Sequence, residues 1–209
     1  MQARVSNIEA LRQWKNWRPL FDGQEEPTVE DLVHFITTDE PSEAMKAGTA
    51  FHKAMELAQD GSHDTFEANG YRFLLPDAEI TLPPVREMRA YKNFGALTVT
   101  GQVDAVQGRT VFDHKTTGKF DPERYLDGCQ WKFYLDLFEA DEFQWNVFVI
   151  KEVEPQVYRV AEPQILKAYR YPELHRDCEM LAADYLEFAR THLPKPEPEP
   201  EIVRLLMAG

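Results

Sequence analysis

The sequence predicts an α/β fold, a central mixed β-sheet flanked by helices. Apolar residues recur at helical spacing over the first sixty positions and again beyond residue 121. Between them the period shortens to two, as in half-buried strands, and turn dipeptides punctuate the alternation. A chain of 209 residues suits one well-buried core with additions. The expectation is a single domain over 1–193, with a helical N-terminal region over 1–61, a central core over 62–161 and C-terminal helices over 162–193. A proline-rich tail, 194–209, follows.

Ser6 and Glu9 make a capping-box pattern around Ile8, Leu11 and Trp14, which predicts a helix over 7–17. Thr28 and Asp31 repeat the pattern ahead of Leu32, Val33, Phe35 and Ile36, predicting a second short helix after an acidic, solvated connection at 22–26. A third helix over 42–59 should stop at Gly61. It sets Gly48 and Ala50, small enough for a close approach, beside His52, and puts His52 and Glu56 on one face a turn apart.

Residues 64–68 and 71–75 flank Asn69-Gly70, a strong hairpin signal. Strands are expected at 85–91, 97–105 and 109–115, with turns at Asn93-Phe94-Gly95 and Gln107-Gly108. Downstream, Asp121-Pro122 reads as a cap and first helical position, and Tyr125, Cys129, Phe133 and Leu137 stripe a helix reaching about residue 140. Gly128 inside it marks a bend or a later helix start. Strands at 143–151 and 156–160 turn near Glu154-Pro155, with Trp145 and Phe148 as core or sheet cover. After Pro172, the stripe Leu174, Cys178, Leu181, Tyr185, Phe188 should pack a long helix on the sheet. Pro194 to Pro200 alternates proline into an extended rod that displays the apolar tip Ile202 to Met207, expected to dock on a second subunit or a partner such as a single-strand-annealing or single-strand-binding protein.

A net charge of −13 argues against nucleic acid until its distribution is read. Residues 86–132 hold eight Lys/Arg against six Asp/Glu, while the remainder holds fifteen against thirty, so the basic groups gather around one stretch. Two cysteines, Cys129 and Cys178, allow neither a disulfide framework nor a four-cysteine metal or iron–sulfur site. No run of eighteen apolar residues and no apolar signal core appear, so no membrane partner is expected and the chain should stay in the cytoplasm.

That stretch carries the chemistry. Side chains alternate along a strand, so Asp113 and Lys115 point one way, Val111 continues that side, and His114 faces the other. The step through Gln107-Gly108 brings Asp104 alongside. Two hard carboxylates can hold Mg²⁺ or Mn²⁺, and the lysine can orient or deprotonate a water or stabilise developing charge on a phosphodiester. Asp113-His114-Lys115 is the only D/E-x-K in the chain, but alone it reads equally as strand-end charge.

The array Gly48-Thr-Ala-Phe-His52, Gly101-Gln-Val-Asp104, Asp113-His-Lys115-Thr116-Thr117 and Gln130-Trp-Lys-Phe-Tyr134 resembles the RecB-like branch of the PD-(D/E)XK nuclease superfamily, in order and spacing, over about 47–137. The resemblance implies a restriction-endonuclease-like core. It implies that His52, Asp104, Asp113 and the backbone carbonyl of His114 hold Mg²⁺ or Mn²⁺, and that Lys115 is catalytic together with Asp104 and Asp113. Gln130 and Tyr134 match the family's Q-x-x-x-Y and would face the site and the DNA. Thr116, Thr117 and Lys119 are candidate phosphate contacts, and Glu87 a candidate further ligand or substrate contact. The chain departs from relatives that hold an iron–sulfur cluster through four cysteines, and it lacks helicase motifs. The implied activity is hydrolysis of DNA by a stand-alone, bacterial or phage-encoded exonuclease in recombination, repair or phage DNA processing. The alternatives are a catalytically silent binding module with the same fold, and hydrolysis of another phosphoester.

Overall fold

The computed structural model describes residues 1–19, 21–38, 40–59, 61–76, 79–80 and 85–194. In chain order the elements are β1 (Gln2–Arg4), α1 (Val5–Lys15), α2 (Val29–Thr37), α3 (Glu43–Leu57), β2 (Gly61–Ser62), β3 (Thr65–Ala68), β4 (Tyr71–Leu74), β5 (Glu79–Ile80) and β6 (Val85–Phe94). They continue with β7 (Leu97–Gln107), β8 (Thr110–Thr117), α4 (Pro122–Asp127), α5 (Gln130–Leu137), β9 (Glu142–Glu154), β10 (Val157–Val160), β11 (Gln164–Tyr169) and α6 (Leu174–His192). The predicted tail from residue 195 onward, apolar tip included, lies outside the described residues.

The predicted mixed sheet is present, with nine strands. Strand β6 runs antiparallel along β7, so the other edge of β7 is shared by parallel β1, at Thr98 to Thr100, and antiparallel β8, at Ala105 to Gln107. Between them, from Gly101 to Asp104, that edge has no strand partner among the described residues. Strand β8 continues parallel to β9, which carries β10 and β11 on its far side, and β10 joins the β3–β4 hairpin. Asn69 and Gly70 both take positive φ, 53° and 81°, as the predicted hairpin turn requires.

Helices cover both faces. On one, α1, α2, α5 and α6 bury a large core in which Val99, Val103, Val111, Phe143 and Val147 of the sheet meet Leu11, Phe133 and Leu174. On the other, α3 packs Phe51 against Phe66, Phe73 and Phe148, with ring centroids 6.2, 5.1 and 4.8 Å away. Val147 and Phe148, adjacent on β9, thus serve opposite cores. Each fully buried Phe or Leu here contributes about 2 kcal/mol by removal of apolar surface from water. The stripe on α6 is used within this molecule: Leu174, Cys178, Tyr185 and Phe188 are all buried.

Several expectations are corrected. Strand β11 stands where C-terminal helices were expected, and β1 opens a region expected to be purely helical. Both are short segments whose conformation comes from a partner strand rather than from their own periodicity. The 121–140 helix is broken into α4 and α5 because Gly128 is extended, at φ −61° and ψ 155°. Glu9 does not close a capping box with Ser6, since α1 starts at Val5 with no side-chain cap; its carboxylate instead accepts the Cys129 amide at 2.6 Å, at the start of α5. The Thr28–Asp31 box does form. Helix α3 ends at Leu57 rather than at Gly61, and its terminal carbonyls at Met55, Glu56 and Ala58 accept from the Arg86 guanidinium of β6.

Candidate active site

The ladder between β7 and β8 stops at the pair Ala105–Phe112. The next residue on each strand is an aspartate, Asp104 on β7 and Asp113 on β8, just beyond the last pair. Neighbouring like charges repel, and each carboxylate has recruited its own partner. Asp104 Oδ1 lies 3.2 Å from His52 Nδ1 of α3, and its Oδ2 accepts the His114 amide at 2.5 Å, standing in for a ladder bond the parting strands no longer make. Asp113 faces Lys115, whose ammonium lies 3.1 Å from Oδ1 and 3.0 Å from Oδ2. Only the first contact is aligned as a hydrogen bond, so Asp113 Oδ2 is buried without a hydrogen-bond partner.

These environments separate the two acids. Burial alone would raise the Asp104 carboxyl, but the His52 imidazole and its other neighbours outweigh it and hold it at about 2. Burial pushes Asp113 up, against the opposing pull of Lys115. Burial pulls the Lys115 ammonium down, and the charge of Asp113 more than offsets this, so it stays protonated above its ordinary range. His52 is raised because Asp104 outweighs the burial that would lower it. His114, on the α3 side of β8, is lowered by burial to about 4, stays neutral, and shares a 3.2 Å contact between its Nδ1 and Asn146 Nδ2.

Two glycines admit the neighbouring helices. A Cβ on Gly101 would stand 2.5 Å from Cε1 of Tyr134, so α5 can lay that ring against β7 only over a glycine. A Cβ on Gly48 would stand 3.0 Å from Thr116 Oγ1, which fixes how closely α3 approaches the end of β8. Tyr134 is buried, stacks on Phe143 at 5.9 Å, and receives Gln130 Nε2 at 3.5 Å, the i, i+4 pair expected on one helical face. Burial raises its hydroxyl pKa, and Asp113 adds to the rise.

The remaining predicted residues divide. Gln130, Thr116 and Thr117 line a groove with Lys115, Arg124 and Tyr125. Lys119 meets Thr117 only through its backbone, which exchanges bonds with the Thr117 hydroxyl, and its side chain is not among the groove-lining groups. Glu87 lines a second cleft with His52, Glu56, Arg86, Asp104 and His114. It sits opposite Asp104 between the pairs Arg86–Ala105 and Met88–Val103, at a φ of +55° that is strained for glutamate, and it accepts from Gln102 Nε2. Arg86 was not singled out by sequence reasoning, and Gly101 entered only as the head of the block that ends at Asp104, not as a seat for Tyr134. A glycine inside an alternating apolar strand was the available signal for Gly101, whereas nothing local marks Arg86.

Whether these donors suit a divalent cation follows from their chemistry. Donors on adjacent corners of an octahedral Mg²⁺ with arms of ~2.1 Å lie ~3 Å apart, and His52 Nδ1 and Asp104 Oδ1 are 3.2 Å apart. Asp113, turned to Lys115, does not close a three-residue cage, and no group of three or more His, Cys, Asp or Glu side chains is arranged as one among the described residues. The set fits a hydrated hard cation, which takes one or two carboxylates and keeps several waters. It does not form a closed, preassembled site.

No family model matches the chain, and no curated protein does either. Among solved structures it is similar to a phage-related exonuclease from Haemophilus somnus 129PT, at 13% identity with 90% of this chain and 93% of that one covered and a TM-score of 0.49. It is also similar to SSO0001, at 17% identity and a TM-score of 0.38 over 49% of this chain, and spans 48% of the length of that protein. No described helix is long and apolar enough to cross a membrane.

Proposed function

We propose that the protein is a Mg²⁺- or Mn²⁺-dependent deoxyribonuclease that hydrolyses DNA phosphodiester bonds from strand ends, in recombination, repair or phage DNA processing in the cytoplasm. The observation that carries the reading is the placement of Asp104 and Asp113 where β7 and β8 part, with Lys115 on the buried acid. Asp104, Asp113, the His114 carbonyl and His52 would hold the cation, which when bound offsets phosphate charge and makes water more acidic.

The chain's own groups do the rest. Lys115, protonated through the neutral range, is a poor base and a good donor: it orients the attacking water or stabilises charge developing on the phosphate. The His114 amide fixes one oxygen of the Asp104 carboxylate, and until a cation takes its place between them His52 Nδ1 holds the other. Gln130 and Thr117 offer neutral hydrogen-bonding groups along the groove beside Lys115.

The test is to incubate purified protein with Mg²⁺ or Mn²⁺ and end-labelled linear, circular, single-stranded and double-stranded DNA. Linear DNA should be degraded, circular DNA spared, and chelator or Lys115→Ala should stop the reaction. Wild-type protein that binds the metal yet cleaves none of these would overturn the reading in favour of a silent binding module.

A further inference from the structure

Helix α3 carries His52 close to its C-terminal end at Leu57, and the last carbonyls of a helix have no partners within it. Two usual remedies are missing here. The C-cap, Ala58, is extended at φ −65° and ψ 147° rather than left-handed, and no basic residue stands in the last turn. The donor comes from the sheet instead. Nη1 of Arg86 donates to the carbonyls of Glu56 and Ala58 at 2.8 and 2.9 Å and reaches that of Met55 at 3.4 Å. A cation at this end also offsets the partial negative charge of the helix dipole.

On β6, Arg86 pairs with Ala105 of β7, the neighbour of Asp104. Its guanidinium therefore ties the end of the helix that holds His52 to the strands that hold Asp104. Further back along α3, Gly48 is set against Thr116 at the end of β8. His52 lies between these two fixed points.

An independent observation comes from the backbone of β6. Met88 pairs with Val103, which lies in the core under α1 and α5. Side chains alternate along a strand, so Arg86 would turn to that core as well. It reaches α3 on the opposite face, and the residue between, Glu87, takes the left-handed φ of +55°. That conformation is strained for a glutamate and persists only where its surroundings enforce it. The pairs Arg86–Ala105 and Met88–Val103 keep one register on either side, so the strained step redirects Arg86 without shifting the pairing.

We propose that Arg86 is a positioning residue for the cation site. Aimed by the left-handed step at Glu87, its guanidinium seats the end of α3 on the β6–β7 pair and so sets the 3.2 Å spacing of His52 Nδ1 and Asp104 Oδ1. The proposal rests on the reading of this site as one for Mg²⁺ or Mn²⁺, although the spacing itself does not. Arg86 lines the cleft with His52 and Asp104 but commits Nη1 to helix carbonyls, and in this role it acts through His52 rather than on the phosphate.

Mn²⁺ binding, read without DNA from the electron paramagnetic resonance of the free ion, is measured for wild type, Arg86→Gln, Arg86→Lys and Thr28→Ala. The last removes the cap of α2, a structural defect away from the site. Loss of an outer partner of a metal ligand lowers affinity by about 10–100-fold, and about tenfold is expected in Arg86→Gln. Arg86→Lys keeps a cation and its donors on a different stem and should lose less, and Thr28→Ala should lose none. Cleavage by Arg86→Gln should need correspondingly more Mn²⁺ for half its maximal rate and approach the wild-type rate at saturation. Wild-type affinity in Arg86→Gln overturns the proposal, as does an equal loss in Thr28→Ala, or wild-type affinity in Arg86→Lys should Arg86→Gln not fold. If wild type binds no Mn²⁺, the ring nitrogen resonances of isotope-labelled His52 in metal-free protein decide. Displacement in Arg86→Gln and not in Thr28→Ala supports the positioning role, and identical spectra overturn it. Protein that binds Mn²⁺ but cuts no DNA would end the nuclease reading and leave the binding comparison to decide this one.

Discussion

At the scale of single residues, the site depends on giving each of two neighbouring carboxylates its own partner. Removing Lys115 would remove the donor proposed to act on the substrate and leaves Asp113, 4% exposed, without its counter-charge. Lys115→Ala should therefore lower cleavage by about a thousandfold and destabilise the protein by about 2 kcal/mol at neutral pH. Asp113→Asn added to it should restore most of the stability and none of the activity. Chemical denaturation and end-labelled cleavage of the single and double variants separate the two effects; a double variant no more stable than Lys115→Ala would show that the pair does not carry the loss. Parity made this pair legible from sequence, because the alternation of a strand is local and places Asp113 and Lys115 on one side whatever surrounds them. The partners of Asp104 were legible only in part: the resemblance, not anything near Asp104, brought His52 to it, and nothing says that the His114 amide would take its other oxygen.

At the scale of elements, helix ends and close approaches decide where the groups of the site stand. Glu9 reaches from α1 to the start of α5, bonding the Cys129 amide and pairing with Arg12 at 2.9 Å. Burial would raise its pKa, but Arg12 and Cys129 outweigh burial and set it below its ordinary 4.5. A carboxylate depressed in the folded state contributes stability that is present in full above its unfolded pKa and is lost as pH falls through the folded value. Glu9→Gln should thus cost about 1–2 kcal/mol at pH 7, with the deficit shrinking below about pH 4.5. Urea denaturation across that range checks it, and a deficit constant with pH would remove the charge from the account. Gly101→Ala should force Tyr134 off β7, costing about 1–3 kcal/mol and reducing cleavage with it; wild-type stability would mean that α5 shifts freely. The capping pattern at Ser6 and Glu9 was visible in sequence, but which amide Glu9 would satisfy was settled by packing some 120 residues away. The hairpin at Asn69-Gly70 had no such competitor and was read correctly.

At the scale of the whole molecule, the two cores consume nearly all strong apolar stripes, including that of α6. Truncation after Leu193 should therefore leave the melting temperature within about 2 °C of the full chain, and any change in assembly state or partner capture would then belong to the removed segment alone. A drop beyond that would mean that the tail belongs to the folded core. The Lys and Arg residues gathered in 86–132 predict DNA binding that weakens with salt, with a log–log slope of about −0.9 per phosphate neutralised; a flat dependence would argue against backbone contacts. The sheet's overall class was legible because seven of its nine strands lie in alternating stretches or beside marked turns. β1 and β11 were not, being defined by the strands they join.

The shared edge of β7 has a consequence in time. Three residues at the start of the chain, β1, must wait for a strand nearly half the chain away, since Gln2 pairs Thr98 and Arg4 pairs Thr100. Such a distant closure delays contact formation, whereas β7 and β8 meet across a two-residue turn. During synthesis the hairpin that carries both aspartates can therefore form before the N-terminus latches beside it. The two aspartates would thus be placed before Arg4 closes the edge of β7 beside them.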